Sequence, residues 1–526
     1  MLVNINGKEI GEGLKTIEIT NPVNGNVIDT VPDVPEAYIN EAVVAARQGL
    51  KEWGGLSQAS RNEIIYKYIQ LYEEQRHEIA RLLTMETGKT LAEAEDEINV
   101  CTRVTRGYCE MAAHLYGNCL PGGSTLGNQE KDIVFTRREP LGVMAIILPF
   151  NYPVDLYSHK VMSALVAGNA VIIKPPSYNP LAVIRMAQLL YEAGVPKCAA
   201  QVVTGKGSVV GDCLCGNPGL DAISMTGSTE VGRDIYQKAA ANLTRVFLEL
   251  GGNDAFIVMD DADIDLAVEE AVGSRMGNSG QICCASKRFL IHQAVKQEFV
   301  EKLVKKLKKV KIGDPLDAEN TVGCLISESA AVQVEEQVAL CVSQGARCIL
   351  GGKRRDRAFF EPTVLDGVTG DMDVARDMEI FGPVFPIITV TSEEEAISLA
   401  NQSCYGLSGA VFSRNTGRAV SIASRLETAG NVINGGSAYR TPDLAFGGYK
   451  KSGIGREGIS RTLEELTQVY GLTRRETEIL GLVFQDRNNE EILEQLHISK
   501  NTLLKHLQNL YRKCGVSSRW DLLKLR

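Results

Sequence analysis

Val143-Met144-Ala145-Ile146-Ile147-Leu148 is a short apolar run that stops at Pro149-Phe150-Asn151-Tyr152-Pro153. A run of this length, bounded by prolines, suits a strand covered on both faces. Outward from it the period changes and changes back. A helical segment spans about Val154 to Ala167, a second run covers Ala170 to Ile173, and Leu181 to Ala193 reads as a helix. Runs at Gln201 to Thr204, Ala222 to Met225 and Val246 to Leu248 alternate with further helical segments. Such alternation specifies a parallel sheet with helices on its faces. After Asn253 it starts again, with strands near Ala255 to Val258, Phe289 to His292 and Val384 to Val390, so two linked α/β domains are expected. Upstream, helical spacing through Glu63 to Met85 and Leu91 to Leu115 makes residues 36–120 helices.

The 526 residues are 44% hydrophobic and 23% charged, and the 50 Gly and 17 Pro follow no period, which excludes collagen-like and largely disordered chains. Net charge is -9, which argues against a bulk polyanion binder. The charge is uneven, because residues 472–526 hold ten basic and seven acidic side chains while the first 471 carry -12. A different kind of domain is therefore expected at the C-terminus. No basic leader with an apolar stretch opens the chain and no run reaches membrane-spanning length, so a cytoplasmic location without membrane contact is expected. Thirteen Cys without regular spacing read as reduced thiols, and no Cys or His pairing has zinc-site spacing, so no metal is expected.

Three residues could carry chemistry. Cys283, in Gly280-Gln281-Ile282-Cys283-Cys284, needs local help to act as a nucleophile, because a free thiol is only a few per cent ionised at neutral pH. Glu249 ends an apolar strand, where a carboxylate is costly to bury unless it has a use. Asn151 follows the first strand, and its amide could either donate to a developing oxyanion or cap a turn between two prolines. Two glycine turns follow strands. Gly205, Gly207 and Gly211 depart from G-x-G-x-x-G, and Thr226-Gly227-Ser228 opens a helix whose N-terminus could meet a pyrophosphate.

With these go Asn21-Pro22 and Gly25, Glu86-Thr87-Gly88-Lys89, Lys174-Pro175, Glu249-Leu250-Gly251-Gly252, Glu379-Ile380-Phe381-Gly382-Pro383, and Phe446-Gly447-Gly448-Tyr449-Lys450 with Ser452-Gly453. In this order the motifs resemble the aldehyde dehydrogenase superfamily over nearly all of residues 1–470. Met276 and Asn253 depart from its usual residues. The resemblance implies an α/β fold with a Rossmann-like cofactor part in about 1–250, an α/β catalytic part in about 251–440, and oligomerisation-arm segments near 130–140 and 455–470. It also implies NADP or NAD as cofactor, with a homodimer or homotetramer as the assembly. Catalytic roles fall to Cys283 as nucleophile, Asn151 as oxyanion donor, Glu249 as the base that activates water, and Lys160 as a relay or orienting residue. Leu148, Phe150, Lys174, Ser177, Gly207, Gly227, Ser228, Val231, Glu379 and Phe381 would bind cofactor. Tyr152, Leu156, His159, Ile282 and Phe446 would line the aldehyde tunnel.

Finer choices stay open. Glu249 argues against an acylating enzyme that passes its thioester to coenzyme A. Pro149-Phe150-Asn151-Tyr152-Pro153 is similar to glyceraldehyde-3-phosphate and lactaldehyde dehydrogenases, yet Ile282 replaces the Arg of the phosphosugar branch. Semialdehydes are the other option, with Arg440 as carboxylate partner. Ser177 stands where many NAD-preferring relatives carry Glu, which removes a repulsion from a 2′-phosphate, so NADP should serve at least as well as NAD.

Beyond Val469 short helices with regular caps appear: Thr473 to Glu476, Asn488 to Glu491, and Ser499 ahead of a helix running to Cys514 and ended by Gly515. Leu472-Thr473, Ile498-Ser499, Asn501-Thr502 and Gly515-Val516-Ser517-Ser518-Arg519 resemble the LuxR-type helix-turn-helix over residues 472–526. That resemblance implies an all-α unit binding double-stranded DNA through Lys500, Lys505, Arg512, Lys513 and Arg519. Leu504 and Leu493 depart from the family pattern. A dimerisation module, or a regulator whose dehydrogenase half only senses aldehyde or cofactor, are the competing readings.

Overall fold

The computed structural model describes residues 1–121, 123, 130, 134–471, 474–514 and 518–523. Five parallel strands form the first sheet, in the order Arg245–Glu249, Ala222–Thr226, Val143–Ile147, Ala170–Lys174 and Ala200–Val202. The chain leaves Val143–Ile147 toward one edge, then returns to add Ala222–Thr226 on the other side. A crevice opens where the order reverses, at the carboxyl ends of these strands. Gly453–Ile454 closes the far edge antiparallel to Arg245–Glu249, a late return of the chain that the sequence did not disclose.

The second sheet runs Arg347–Leu350, Thr363–Val368, Val384–Val390, Ser286–His292, Asp254–Val258, Ser408–Phe412 and Gly430–Ile433, parallel except at its first strand. Separate apolar clusters cover its two faces, while a third, larger cluster surrounds the first sheet. The helical stretch expected over residues 36–120 is four helices, Glu36–Gly54, Gln58–Glu74, Arg76–Thr87 and Leu91–Ala112, and ends in the strand Cys119–Leu120. A three-stranded sheet joins Thr467–Gly471, Val134–Pro140 and Cys119–Leu120.

Where one helix was expected from Val154 to Ala167, the structure has Pro153–Tyr157, a π-helical turn Ser158–Met162, and Ser163–Val166. Such π-turns are frequent at functional sites. The tail has helices Arg474–Phe484, Asn489–Leu496, Lys500–Cys514 and Arg519–Leu523. Asn488 and Glu491 form the expected capping box, and Ser499 Oγ accepts from Thr502 N at 3.2 Å. Thr473 and Gly515 lie outside the described residues. Ile479, Val483, Ile492, Leu503, Leu507 and Leu510 make the tail's core, against which Phe135 of the three-stranded sheet also packs. Among the described residues no helix is long and apolar enough to cross a membrane, and no group of three His, Cys, Asp or Glu could hold a metal ion.

Candidate active site

Cys283 precedes the strand Ser286–His292, at the amino end of the second sheet. Its loop is reached through three successive residues with positive φ, Asn278 at 46°, Ser279 at 55° and Gly280 at 81°. At Gly280 a Cβ would lie 2.3 Å from the Gly382 carbonyl oxygen, so only glycine permits that approach. Left-handed non-glycine residues in this loop are strain that the surrounding packing must impose. Lys287, one turn of strand beyond, donates to the Cys283 carbonyl and pairs with Glu379 at 3.1 Å.

The Asn151 amide donates to Gln281 O at 2.9 Å, which brings it to the same loop. Its own carbonyl accepts from Lys89 Nζ at 2.7 Å and Asn278 Nδ2 at 2.8 Å. Lys89 is ion-paired with Glu97, both side chains fully buried, and Glu97 also accepts from the amides of Val154 at 2.7 Å and Asp155 at 3.0 Å. The Asn151 segment is thus fastened from beneath.

A cavity of about 520 Å³ at the crevice is lined by Phe150, Asn151, Gly227, Ser228, Cys283, Glu379 and Phe381, among others. Phe150 and Phe381 stand edge to face with centroids 5.8 Å apart. Ser228 caps the helix Thr229–Ala240 by accepting from Val231 N, and the amides of Thr229 and Glu230, at the helix start, have no intrahelical carbonyl to bond. The Thr226 hydroxyl is buried without a partner among the described residues, and a Cβ at Gly251 would lie 2.5 Å from Glu379 Oε2. An open crevice, free amides and glycine-lined carboxylate together fit a dinucleotide. Of the residues expected to bind cofactor, Gly227 spends its N–H on Glu249 O at 3.0 Å, Gly207 begins a π-helical turn away from the cavity, Leu148 is buried behind it, and Val231 stays exposed on the helix. Lys174 is buried next to Ser177, its ammonium 3.2 Å from Ser177 Oγ, and burial lowers its pKa to about 8.

Glu249 ends the strand Arg245–Glu249, 5% exposed, with neither carboxyl oxygen hydrogen-bonded among the described residues. Burial, then the Glu457 charge, push its pKa well above the usual carboxylate range. Beside it a cavity of about 20 Å³, room for one water, is lined by Lys160, Ser224, Glu249 and Glu457. Lys160 Nζ donates to Glu457 Oε1 at 2.6 Å, and Arg440 Nη2 to Glu457 Oε2 at 2.7 Å. Burial opposes ionisation of Glu457, but Lys160 and Arg440 overcome it and hold the carboxylate well below its ordinary value. The hydrogen bond with Cys284, then burial, raise the Cys283 thiol.

Ile282, Phe446 and Cys283 share one small apolar cluster, and the Arg440 guanidinium stacks 4.3 Å from the Phe446 ring with its Nε unpartnered among the described residues. His159, on the π-turn, contacts Tyr108 OH at 3.2 Å; burial and Arg440 lower it to about 3, so it is neutral. Burial raises Asp155 to about 6 against the pull of Arg440. Leu156 is buried and Tyr152 lies under the Lys89 ammonium at 4.1 Å. Glu457, Lys287 and the Lys89–Glu97 pair were not read from the sequence, although a lysine inside the apolar strand Ser286–His292 and a glutamate after Gly455-Arg456 were signals available there.

In the tail Lys500 and Lys505 are exposed, while the side chains of Arg512 and Lys513 lie outside the described residues. The Arg519 guanidinium donates to Arg487 O and to Asn489 Oδ1 at 3.1 Å.

Among known proteins, residues 10–471 match the aldehyde dehydrogenase family and residues 471–525 the bacterial regulatory proteins of the luxR family. The chain is 36% identical over 457 residues to the NADP(+) succinate-semialdehyde dehydrogenase of Escherichia coli (strain K12), covering 86% of this chain and 93% of that one. It is 37% identical over 466 residues to a glutarate-semialdehyde dehydrogenase of Pseudomonas putida, covering 88% and 96%. The crystal structure of a succinate-semialdehyde dehydrogenase from Burkholderia pseudomallei matches with a TM-score of 0.86 at 36% identity, over 90% of this chain and 97% of that one.

Proposed function

Because the chain belongs to the aldehyde dehydrogenase family and carries a luxR-family domain at its C-terminus, we propose that it oxidises an aldehyde to a carboxylate through a thioester on Cys283. The observation that carries this reading is the convergence of Cys283, Asn151, Glu379 and Phe381 on one crevice, with the buried carboxyl of Glu249 close to Cys283. Cys283 gives up its proton to water in the crevice, and its sulfur attacks the carbonyl carbon. Asn151 Nδ2 and the Cys283 amide donate to the resulting oxyanion. When bound, NADP or NAD supplies the hydride acceptor, oriented by Glu379 and Phe381. As the oxyanion collapses, hydride leaves the carbon and Cys283 keeps the acyl group. Glu249 then takes a proton from the water that attacks the thioester and returns it to the departing Cys283 sulfur, while Lys160, paired with Glu457 beside the small cavity, serves as an orienting residue. The carboxylate departs and the thiol is restored.

A semialdehyde fits the substrate side best, because Arg440 has an unpartnered Nε beside the apolar wall of Ile282 and Phe446. The relatives named for succinate and glutarate semialdehydes support that class. Ser177 supports NADP at least as well as NAD. The division into cofactor, catalytic and arm segments at 1–250, 251–440, and 130–140 with 455–470 belongs to the same reading. So do a homodimer or homotetramer formed through the arm, duplex DNA binding by residues 472–526, and a cytoplasmic location, the last in keeping with described cysteines that are all free thiols. A panel of short aldehydes and semialdehydes with NADP tests the chemistry. Product that appears only with added coenzyme A, at every pH, would reject hydrolysis.

A further inference from the structure

Two cations stand side by side near the start of the strand Ser286–His292, both buried, and they are used differently. Arg288 donates to the carbonyls of Asn253 at 2.6 Å, Ala375 at 3.1 Å, Leu399 at 2.7 Å and Ala400 at 2.9 Å, and so fastens the strand to the elements around it. Lys287 takes the opposite face, as successive strand residues do, and meets the active site. Its side chain is 1% exposed, and its ammonium donates to the Cys283 carbonyl and pairs with Glu379 Oε1 at 3.1 Å. The Phe381 ring centroid lies 6.0 Å away. One buried cation thus bridges the nucleophile's own backbone and a carboxylate on the wall of the cofactor crevice.

An ammonium is costly to bury unless it is paired. The other carboxyl facing Lys287, that of Asp254, accepts from Ser408 N at 3.1 Å, and burial raises its pKa to about 8 against the pull of Lys287. Below that pH Glu379 is therefore the carboxylate that neutralises Lys287. Arg275, also buried, faces Glu379 and Asp254 but donates to Val384 O at 2.8 Å and Ile380 O at 2.6 Å. Around Cys283 itself stand Cys284, Arg440 and Glu249. The hydrogen bond with Cys284 and then burial raise the thiol, while Lys287 and Arg440 draw it down. The pull of Lys287 is weakest while Glu379 neutralises it. Ribose hydroxyls donating to Glu379 would occupy that carboxylate and leave the ammonium charge to act on Cys283.

We propose that Lys287 is a positioning residue for the reaction: shared between the Cys283 carbonyl and Glu379, it holds the nucleophile loop against the cofactor carboxylate, and its charge turns to the thiol when ribose takes that carboxylate. This rests on the dinucleotide reading of the crevice and deepens it. The test is alkylation of the full chain by iodoacetamide in the absence of aldehyde, read at Cys283 by peptide mass spectrometry across a pH series, with and without NADP. Fluorescence titration follows NADP binding in each variant. In the unsubstituted protein NADP should lower the pH midpoint of Cys283 alkylation by about one pH unit, the scale of one nearby charge. Glu379→Gln should show the lowered midpoint with no cofactor present. Lys287→Met should raise the midpoint and abolish the response to NADP, and Lys287→Arg should restore part of it. Glu379→Gln keeps the buried cation and decides alone where Lys287→Met does not fold. An unmoved midpoint with NADP bound, a response that persists in Lys287→Met, or an unchanged midpoint in Glu379→Gln overturns the role of Lys287 and leaves cofactor use standing. Failure of the unsubstituted protein to bind NADP overturns both.

Discussion

Burial and then the Glu457 charge raise the Glu249 carboxyl well above its ordinary value, and in its protonated form it cannot take a proton from water. Its base form therefore grows as pH rises through that raised range, so hydrolysis should accelerate with rising pH; a turnover profile flat from mildly acidic to alkaline pH would count against Glu249 as base. Glu249→Gln should cut steady turnover by about 10²–10⁴. A single burst of reduced cofactor, one per site, should remain as the thioester accumulates. Cys283→Ala should abolish turnover with cofactor binding, followed by fluorescence titration, nearly unchanged. Oxidation retained in that variant would falsify the assigned nucleophile.

The segment from Asn151 to Asp155 owes its position to a buried ion pair lying on another element. Lys89, between the helices Arg76–Thr87 and Leu91–Ala112, reaches the Asn151 carbonyl, and Glu97 caps the start of Pro153–Tyr157. Removing one member leaves the other charged and without compensation. Lys89→Met should cost about 3–5 kcal/mol of stability, read by denaturant unfolding. If the folded protein also positions Asn151 poorly, kcat should fall more than KM rises. Wild-type stability in Lys89→Met would show that the pair is not what fastens this element.

The whole chain joins an acidic dehydrogenase to a helix-turn-helix whose core is completed by Phe135, with only two residues between Gly471 and Arg474. The first 471 residues, at -12, oppose DNA, so affinity must come from local phosphate contacts. Full-length protein should bind duplex weakly and with strong salt dependence, while a chain ending at Tyr470 should not bind. Lys500→Ala with Lys505→Ala should lower the log–log salt slope by about one unit per contact removed and leave turnover intact; equal binding by both chain lengths would mean that the tail serves assembly. The alternation from Val143 onward, the glycine-led loop at Cys283, the carboxylate at the end of Arg245–Glu249 and the capped tail helices were legible in the sequence, because period, caps and turn residues act within one element. Gly453–Ile454 at the sheet edge was not, nor was the inward turn of Lys174. Glu457 was invisible for the same reason: it meets Lys160 from 297 residues away. Packing of the sheets, not local propensity, sets which buried charges meet, and with them the state of Glu249 and the placing of Arg440 and Lys287.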